Sequence, residues 1–240
     1  MEFPEAYATI VKRSVERNTK ELPTILSCLD FESLNCLEIG AGPLARLAAK
    51  ISGFAKHIFC IENNKQTIKA IEKVIREQGL EKKITPVFYS PPIPYKLPFK
   101  DKEFDIVYGA WLPHKTATNP EFLDEITRVS RKHILLVMPG IKGDEPKLVS
   151  IVRPGELERR MQYRKQIKTY LESKGYDVDA KDEILRLDFQ SEIEIRDVFY
   201  CMAFKNELTE PQKEKVNKFL GSRIHNFQDG FYCVYGTRID

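Results

Sequence analysis

Short, almost continuously apolar segments alternate with amphipathic segments through the first 140 residues of the chain. Five of the apolar segments have the length of a β-strand, and they span residues 34–39, 57–61, 84–89, 104–108 and 133–138. Between them, apolar residues recur at helical spacing, which predicts helices at 43–51, 64–78 and 120–130. Strands that are apolar on both faces and alternate with helices indicate a parallel sheet covered by helices on both faces.

The residues on either side of this alternating region follow other patterns. Residues 5–29 are amphipathic and helical, and we expect Pro23 to divide them into two helices. We expect Pro139 and Gly140 to end the fifth strand, and the polar residues 141–156 to form a loop.

The last third of the chain mixes helical and extended patterns. Helices are predicted at 157–173, 191–204 and 210–220, and extended segments at 176–189 and 231–239. In the first of these helices the residues expected to face inward are Leu157, Met161, Ile167 and Leu171. The extended segments predict a terminal hairpin at the edge of the sheet.

The composition describes a chain with one substantial core. The sequence has 240 residues, of which 42% are hydrophobic and 30% charged, so one domain is the default. A net charge of +3 is too small to indicate nucleic-acid binding by itself. No apolar run approaches the roughly 20 residues that span a bilayer, and the N-terminus does not resemble a signal peptide. We therefore expect a cytoplasmic protein without membrane contacts.

The cysteines and histidines show no spacing typical of a metal site or a disulfide framework. No C-x-x-C pair occurs, and the four histidines are scattered, so no metal site is predicted. We interpret the cysteines as small buried hydrophobic residues. They are Cys28, Cys36, Cys60, Cys201 and Cys233.

A glycine turn follows the first predicted strand, in the segment CLEIGAGPLA at residues 36–45. Gly40-x-Gly42-x-x-Ala45 matches the dinucleotide-binding fingerprint, and Glu62 lies 22 residues after Gly40, at the end of the next strand. A carboxylate at that point can accept hydrogen bonds from both hydroxyls of a ribose. These features fit an NAD(P)-dependent oxidoreductase.

Glu38, just ahead of the glycines, favours a different cofactor. A carboxylate beside a pyrophosphate would be repelled unless it turned away. S-adenosylmethionine has no phosphate, and it offers a positive sulfonium and an ammonium group, which a carboxylate attracts. The alternative for Glu38 is a structural carboxylate that caps the amides of the turn itself.

The segment EIGAG at 38–42 resembles the first motif of class I S-adenosylmethionine-dependent methyltransferases. Similar blocks follow in the order of that family: LPF at 97–99 with FDIV at 104–107, then EITRV at 125–129 with HILLVMPG at 133–140. The resemblance covers about residues 30–140. It implies a Rossmann-like, doubly wound α/β sheet of seven strands, mostly parallel with an antiparallel last strand. It departs from the family at Leu44, where a third glycine is usual, and at Ser90, where an acid is frequent.

The resemblance also implies S-adenosylmethionine as the cofactor and assigns residues to it. The expected cofactor-binding residues are Glu38, Gly40, Ala41, Gly42, Glu62, Asn63, Ser90, Gly109, Ala110 and Trp111. The first four would form the donor loop, the fifth would hold the ribose, and the next two would lie at the adenine edge. The last three follow the fourth strand and would face the methyl group.

His114 is the best candidate for a general base, because an ordinary histidine titrates near neutral pH. An ordinary surface histidine is the alternative. Methyl transfer itself asks mainly for alignment of nucleophile, methyl and sulfur, so an amine that binds neutral or a thiolate requires no base.

We expect one methyltransferase domain over residues 1–240, with a helical lid at 1–30, a cofactor-binding core at 31–140, and acceptor-side helices with a terminal hairpin at 141–240. The expected acceptor is a small molecule. Arg160, Arg164 and Lys168 share one face of a predicted helix, which leaves RNA or a protein open as acceptor. A catalytically inactive binding protein with this fold is a further alternative.

Overall fold

The computed structural model describes residues 1–90 and 96–239 of the chain. Seven strands lie within these residues: β1 Asn35–Ile39, β2 His57–Glu62, β3 Ile84–Phe88, β4 Phe104–Ala110, β5 Ser130–Gly143, β6 Tyr176–Leu187 and β7 Phe227–Arg238. They form one sheet in the order β3-β2-β1-β4-β5-β7-β6.

Helices connect most of these strands. They are α1 Phe3–Arg13, α2 Leu22–Leu26, α3 Arg46–Ile51, α4 Lys65–Glu77, α5 His114–Ala117, α6 Pro120–Val129, α7 Glu145–Val152, α8 Glu156–Ser173, α9 Glu192–Phe204 and α10 Glu210–Gly221. A π-helical turn, Arg17–Glu21, precedes α2. No helix in the described part of the chain is long and apolar enough to cross a membrane.

The strand pairing confirms the predicted fold class. β1 pairs in parallel with both β2 and β4, β2 with β3, and β4 with β5. Antiparallel strands lie near the end of the sheet. The sheet is therefore the Rossmann-like, mostly parallel α/β sheet that the alternating pattern and the resemblance predict, and its strand order changes direction between β1 and β4.

The described chain divides into two compact units. The core unit contains Ile25–Met138, Tyr163–Lys181 and Cys233–Asp240, and the second unit contains Met1–Thr24, Pro139–Gln162 and Asp182–Tyr232. In the core unit, α4 buries an apolar stripe formed by Ile68, Ile71 and Ile75. The side chain of Asn64 caps this helix by accepting hydrogen bonds from the Gln66 and Thr67 amides.

The second unit has a hydrophobic core of its own. Residues from α1, α7, α9, α10 and both long strands β6 and β7 are buried in it. The rings of Phe189, Phe199 and Phe227 are in contact, with centroids 6.0 Å and 4.4 Å apart for the two successive pairs. Packing of aromatic rings at these distances stabilises a core beyond the area that it buries.

The N-terminal helices are divided at a different point from the one that Pro23 predicts. α1 ends at Arg13, and Ser14 forms an isolated antiparallel bridge with Leu187. The Val15 amide then donates to the Arg186 carbonyl oxygen at 3.3 Å. Pro23 lies in the first turn of α2, where a missing amide hydrogen costs little. Pairing with β6, rather than the proline, ends the first helix.

The prediction that Pro139 and Gly140 end the fifth strand is wrong. β5 continues to Gly143, and half of the predicted loop forms α7. A Cβ added at Gly140 would lie 2.6 Å from the Gly230 carbonyl carbon. The missing side chain of Gly140 therefore lets the backbone of Gly230 approach closely at this point of the sheet, which is one of the roles of glycine within strands.

The predicted inward face of α8 is correct only in the second half of the helix. Ile167 and Leu171 are fully buried, but Leu157 is 37% exposed and Met161 54% exposed. Arg160 takes the inward position instead and is 4% exposed. Its ion pairs with Glu145 and Glu156 make this burial possible.

β6 and β7 are neighbours in the sheet, but the chain passes through α9 and α10 between them.

Candidate functional site

The glycine turn follows β1 directly and adopts a backbone that favours glycine. Gly40 has φ +72° and Gly42 φ +68°, both in the left-handed region where a residue without a Cβ is unstrained. The Gly40 amide donates to the Ile61 carbonyl oxygen at 3.0 Å, which ties the turn to β2. Ala45 also has a positive φ, of +42°, immediately before α3. The turn is thus held in a conformation that the two glycines make possible.

Glu62 meets this turn in space. It is the last residue of β2, and its Oε1 accepts a hydrogen bond from the Gly42 amide at 2.7 Å. The short distance is typical of a carboxylate acceptor. Two residues that were predicted to serve one ligand, and that are 20 positions apart in the sequence, are therefore in direct contact.

Glu38 lies inside the core unit and is 2% exposed. The Tyr108 hydroxyl donates to its Oε2 at 3.1 Å, and the Ala48 amide donates a further hydrogen bond. Burial raises the pKa of Glu38 to about 7, against the opposing effects of the Tyr108 bond and of the Arg46 charge. The carboxylate joins β1 to β4 and to the first turn of α3. Ala48 lies in α3, beyond the glycine turn, so these bonds differ from the capping of the turn's own amides that the sequence left open as an alternative.

The end of β4 packs against the turn through Leu112. A Cβ added at Gly109 would lie 2.6 Å from the Leu112 Cδ1, and one added at Gly40 would lie 3.2 Å from the Leu112 Cδ2. Leu112 is buried, and Trp111 beside it has φ +59° and donates its amide to the Val137 carbonyl oxygen at 2.7 Å. The absence of a Cβ at both Gly40 and Gly109 thus leaves room for the side chain of Leu112. No signal in the sequence distinguishes Leu112 from other apolar residues.

The remaining predicted cofactor residues differ in how far they are exposed to solvent. Ala41 is buried and Ala110 half-buried, whereas Asn63 and Ser90 are exposed. The Tyr89 amide donates to the Glu62 carbonyl oxygen at 2.8 Å, which anchors the chain just before Ser90 to the end of β2. The two residues predicted at the adenine edge therefore follow the neighbouring strands β2 and β3.

His114 begins α5 and stacks on an aromatic ring. The centroids of the His114 and Tyr163 rings are 5.2 Å apart, and the ring planes are inclined by 29°. Tyr163 belongs to α8 and to the same compact unit. The histidine is half-buried, so its ring has a defined setting rather than that of an ordinary surface side chain.

The predicted residues collect at one edge of the sheet. The glycine turn, Glu62 and residues 109–111 follow or end β1, β2 and β4, which are adjacent parallel strands. In open α/β sheets a ligand binds outside the carboxyl ends of the strands, at the point where the strand order changes direction. Within the described residues, no group of three or more His, Cys, Asp and Glu side chains is arranged to hold a metal ion.

The segment that forms this edge of the sheet matches a known family of protein domains. Residues 37–138 match the family described as "Methyltransferase domain". No curated protein sequence matches the chain.

Solved structures with the same fold include several methyltransferases. A SAM-dependent methyltransferase from Aquifex aeolicus is 13% identical, with 98% of each chain covered and a TM-score of 0.57. A putative methyltransferase from Bacillus halodurans C-125 is 14% identical, with 92% of this chain and 98% of that chain covered and a TM-score of 0.57.

The fold is not restricted to methyl transfer. A precorrin 8w decarboxylase from Methanobacterium thermoautotrophicum is 12% identical, with 91% of this chain and 89% of that chain covered and a TM-score of 0.52. Identities this low show the fold alone, so the family rests on the match over residues 37–138. That match contains the glycine turn, Glu62 and the end of β4. Residues 37–138 therefore match a methyltransferase domain, which is consistent with the class I S-adenosylmethionine-dependent methyltransferase family that the sequence motifs resemble.

Proposed function

We propose that the protein binds S-adenosylmethionine at the carboxyl ends of β1, β2 and β4 and transfers its methyl group to a small-molecule acceptor. The observation that carries this proposal is the 2.7 Å hydrogen bond between the Gly42 amide and the Glu62 carboxylate. It joins a turn that requires glycine to the acid that would bind a ribose. A donor that bears both a ribose and a cationic methionine end suits such a pair.

The residues at this edge fit the parts of the donor. Glu62 offers two carboxylate oxygens for the two ribose hydroxyls, and Asn63 and Ser90 lie exposed beyond it for the adenine edge. Gly40, Ala41 and Gly42 would surround the methionine end with backbone.

The end of β4 would complete the donor site. Gly109, Ala110 and Trp111 would face the methyl group, since they end or directly follow β4 at the same edge of the sheet. S-adenosylmethionine supplies a methyl group that its sulfonium already activates. The main contribution of the protein is then to align the acceptor with it.

Glu38 would act through the turn rather than on the donor directly. Its carboxylate is buried and bonded to Tyr108 and Ala48. These contacts hold the end of β1, and therefore the glycine turn, against β4 and α3. We assign it a positioning role.

His114 would serve as general base for an acceptor that must lose a proton. The stacked Tyr163 ring restricts the orientation of the imidazole, and a base must be oriented before its pKa matters. An acceptor that binds as a neutral amine would not need this histidine, so its contribution depends on the acceptor.

The charge pairing on α8 favours a small molecule over RNA as acceptor. Arg160 is buried between Glu145 and Glu156, and Lys168 pairs with Glu172 at 3.7 Å. Paired cations attract a polyanion less than a continuous basic face does, because their charge is already compensated.

The ribose assignment is tested by Glu62→Gln, with calorimetric titration of S-adenosylhomocysteine. Loss of the negative acceptor is expected to weaken binding by roughly 10- to 100-fold, the range for hydrogen bonds to charged groups. Glu77→Gln is the matched control, because Glu77 is exposed on α4. Its ion pair with Lys73 is exposed as well, with 3.7 Å between Nζ and Oε1. Equal affinity of both variants and the wild type would refute the assignment, provided that circular dichroism shows both folded.

Turnover separates an enzyme from an inactive binding protein of the same fold. With radiolabelled S-adenosylmethionine and a pool of small metabolites, we expect transfer of label to acceptors of low molecular mass. Donor binding without transfer to any pool would favour the binding protein.

A further inference from the structure

The turn after α2 lines a cavity of about 350 Å³ in the core unit. None of the residues assigned to the donor contributes to it. Its lining consists of Leu26, Ser27, Cys28, Leu29, Asp30, Phe31 and Phe54. Cys28 contributes to this lining and is 9% exposed.

Cys28 contacts a second thiol. The side chain of Cys233, on β7, forms a hydrogen bond with that of Cys28. Cys233 is fully buried, and both residues belong to the core unit. Two cysteines that are 205 positions apart in the sequence (233 − 28) are thus neighbours in space.

A cation lies close to this pair. The Lys181 Nζ donates to the Ser27 carbonyl oxygen at 2.9 Å and to the Ser27 Oγ at 3.0 Å, one residue before Cys28. The Cys233 bond and the Lys181 charge lower the pKa of the Cys28 thiol, and together they outweigh burial and the Asp179 charge. The thiolate is the form of cysteine that attacks an oxidant.

The other cysteines have the opposite environment. Burial raises the pKa of Cys36 to about 12 and raises the pKa of Cys60 and Cys201 as well. Cys201 is 8% exposed, almost the same as Cys28. Exposure therefore does not separate these two residues, whereas the neighbouring thiol and cation do.

We propose that Cys28 and Cys233 are a redox-active thiol pair that hydrogen peroxide converts into a disulfide. The Cys28 sulfur attacks a peroxide oxygen, the O–O bond breaks, and the departing hydroxide takes up the thiol proton to leave as water. Cys28 is then a sulfenic acid. The Cys233 sulfur attacks it, the S–O bond breaks, and a second water leaves with the Cys233 proton. The two thiols lose two electrons in total, and the peroxide gains them.

The positions of the two residues suit this reaction. A disulfide requires the sulfur atoms to approach to about 2.05 Å, closer than in a thiol hydrogen bond. Cys233 is held in a strand, but Cys28 lies in the turn between α2 and β1, where its amide donates to the Ile25 carbonyl oxygen at 3.1 Å. The turn, rather than the strand, is therefore the part that would move to bring the two sulfur atoms together.

The test uses the full chain, reduced, freed of reductant and exposed to a twofold excess of hydrogen peroxide. Remaining thiols are alkylated with N-ethylmaleimide after acid quenching, and the products are analysed by intact-mass and peptide mass spectrometry. We expect the loss of two hydrogens per chain and a peptide that links Cys28 to Cys233. The bridge closes a long loop and is expected to raise Tm by about 4 °C or more.

Single variants distinguish this pair from general thiol oxidation. Cys28→Ser is expected to lose its thiols at least tenfold more slowly than the wild type, whereas Cys201→Ser oxidises like the wild type. Cys233→Ser, if folded, accumulates a sulfenic acid at Cys28 that dimedone traps. Because Cys233 is buried, the comparison of Cys28→Ser with Cys201→Ser is decisive even if that variant does not fold. Oxidation of Cys201 first, a bridge between two chains, or equal rates in Cys28→Ser and the wild type would overturn the proposal.

Discussion

Gly40 and Gly42 adopt backbone conformations that most other residues avoid. They lie in the turn that directly follows β1. The spacing of the two glycines and Glu62 predicted that these residues serve one ligand, because the end of one strand and the end of the next meet in a parallel sheet. Leu112 and Tyr108 could not be predicted in the same way. An apolar residue beside a strand and a tyrosine within one look alike whether they support a site or a core.

Gly40→Ala is expected to lower both stability and donor affinity, whereas Gly79→Ala lowers stability only. Both glycines have a positive φ, so each alanine costs about 1–2 kcal/mol in free energy of unfolding. A Cβ at Gly79 meets nothing within 4 Å, but one at Gly40 presses on Leu112 beneath the turn. Urea unfolding and S-adenosylhomocysteine titration measure the two effects. Equal affinity of the two variants would contradict the role of the turn.

Glu38 makes the stability of the protein depend on pH. Its pKa is raised from 4.5 to about 7, so the folded state holds a proton that the unfolded state releases. The stability that this proton contributes is fully present below pH 4.5 and is lost as the pH rises through about 7. Because the group is buried, the loss is on the order of 3 kcal/mol.

The variant Glu38→Gln removes this titration but keeps a hydrogen-bond acceptor for Tyr108. We expect its free energy of unfolding to fall less than that of the wild type between pH 5 and pH 8, as measured with urea at both values. Asp229, whose pKa burial also raises to about 7, is present in both proteins and contributes equally to each. Parallel losses in the two proteins would show that Glu38 does not titrate in this range.

Helix α8 shows what an amphipathic pattern cannot predict. Periodicity assigned Arg160 to an exposed basic face, but its guanidinium is buried and donates to Glu145, to Glu156 and to the Gly140 carbonyl oxygen at 2.8 Å. A charged residue enters a core only with partners, and these partners lie 4 to 20 residues away in the sequence. Single-residue hydrophobicity contains no information about them. The continuation of β5 past Pro139 was missed for the same reason, since it depends on another segment.

Arg160→Met is expected to destabilise the protein far more than Lys168→Met, although both lie on α8. Removing Arg160 leaves Glu145 partly buried without this cation, whereas Glu156 keeps Arg159 at 3.1 Å, and loss of a buried ionic partner typically costs 3–5 kcal/mol. Lys168 and Glu172 are about half exposed, and an exposed pair of this kind contributes about 0.5 kcal/mol. Urea unfolding compares the two directly. A difference below about 1 kcal/mol would show that the Arg160 network is dispensable.

The sheet of the whole molecule was predictable because five apolar strands alternate with helices in the same order as in the family. The mostly parallel pairing follows from that alternation and from the resemblance at residues 38–42, 97–107 and 125–140, whereas the strand order was not predicted from the sequence. The division into two compact units was not predictable, because each unit is assembled from three separate parts of the chain. Composition and local pattern describe neighbours in sequence, and such units are defined by neighbours in space.

Calorimetric titration of the wild-type chain with S-adenosylhomocysteine and, separately, with NADH tests the central claim most directly. Both ligands carry an adenosine, but only NADH brings a pyrophosphate to the glycine turn. We predict saturable binding of S-adenosylhomocysteine with one site per chain, no binding of NADH, and about 2.7 kcal/mol of added stability at 100 times the Kd. Binding of NADH without binding of S-adenosylhomocysteine would contradict the account and support a dinucleotide-dependent oxidoreductase.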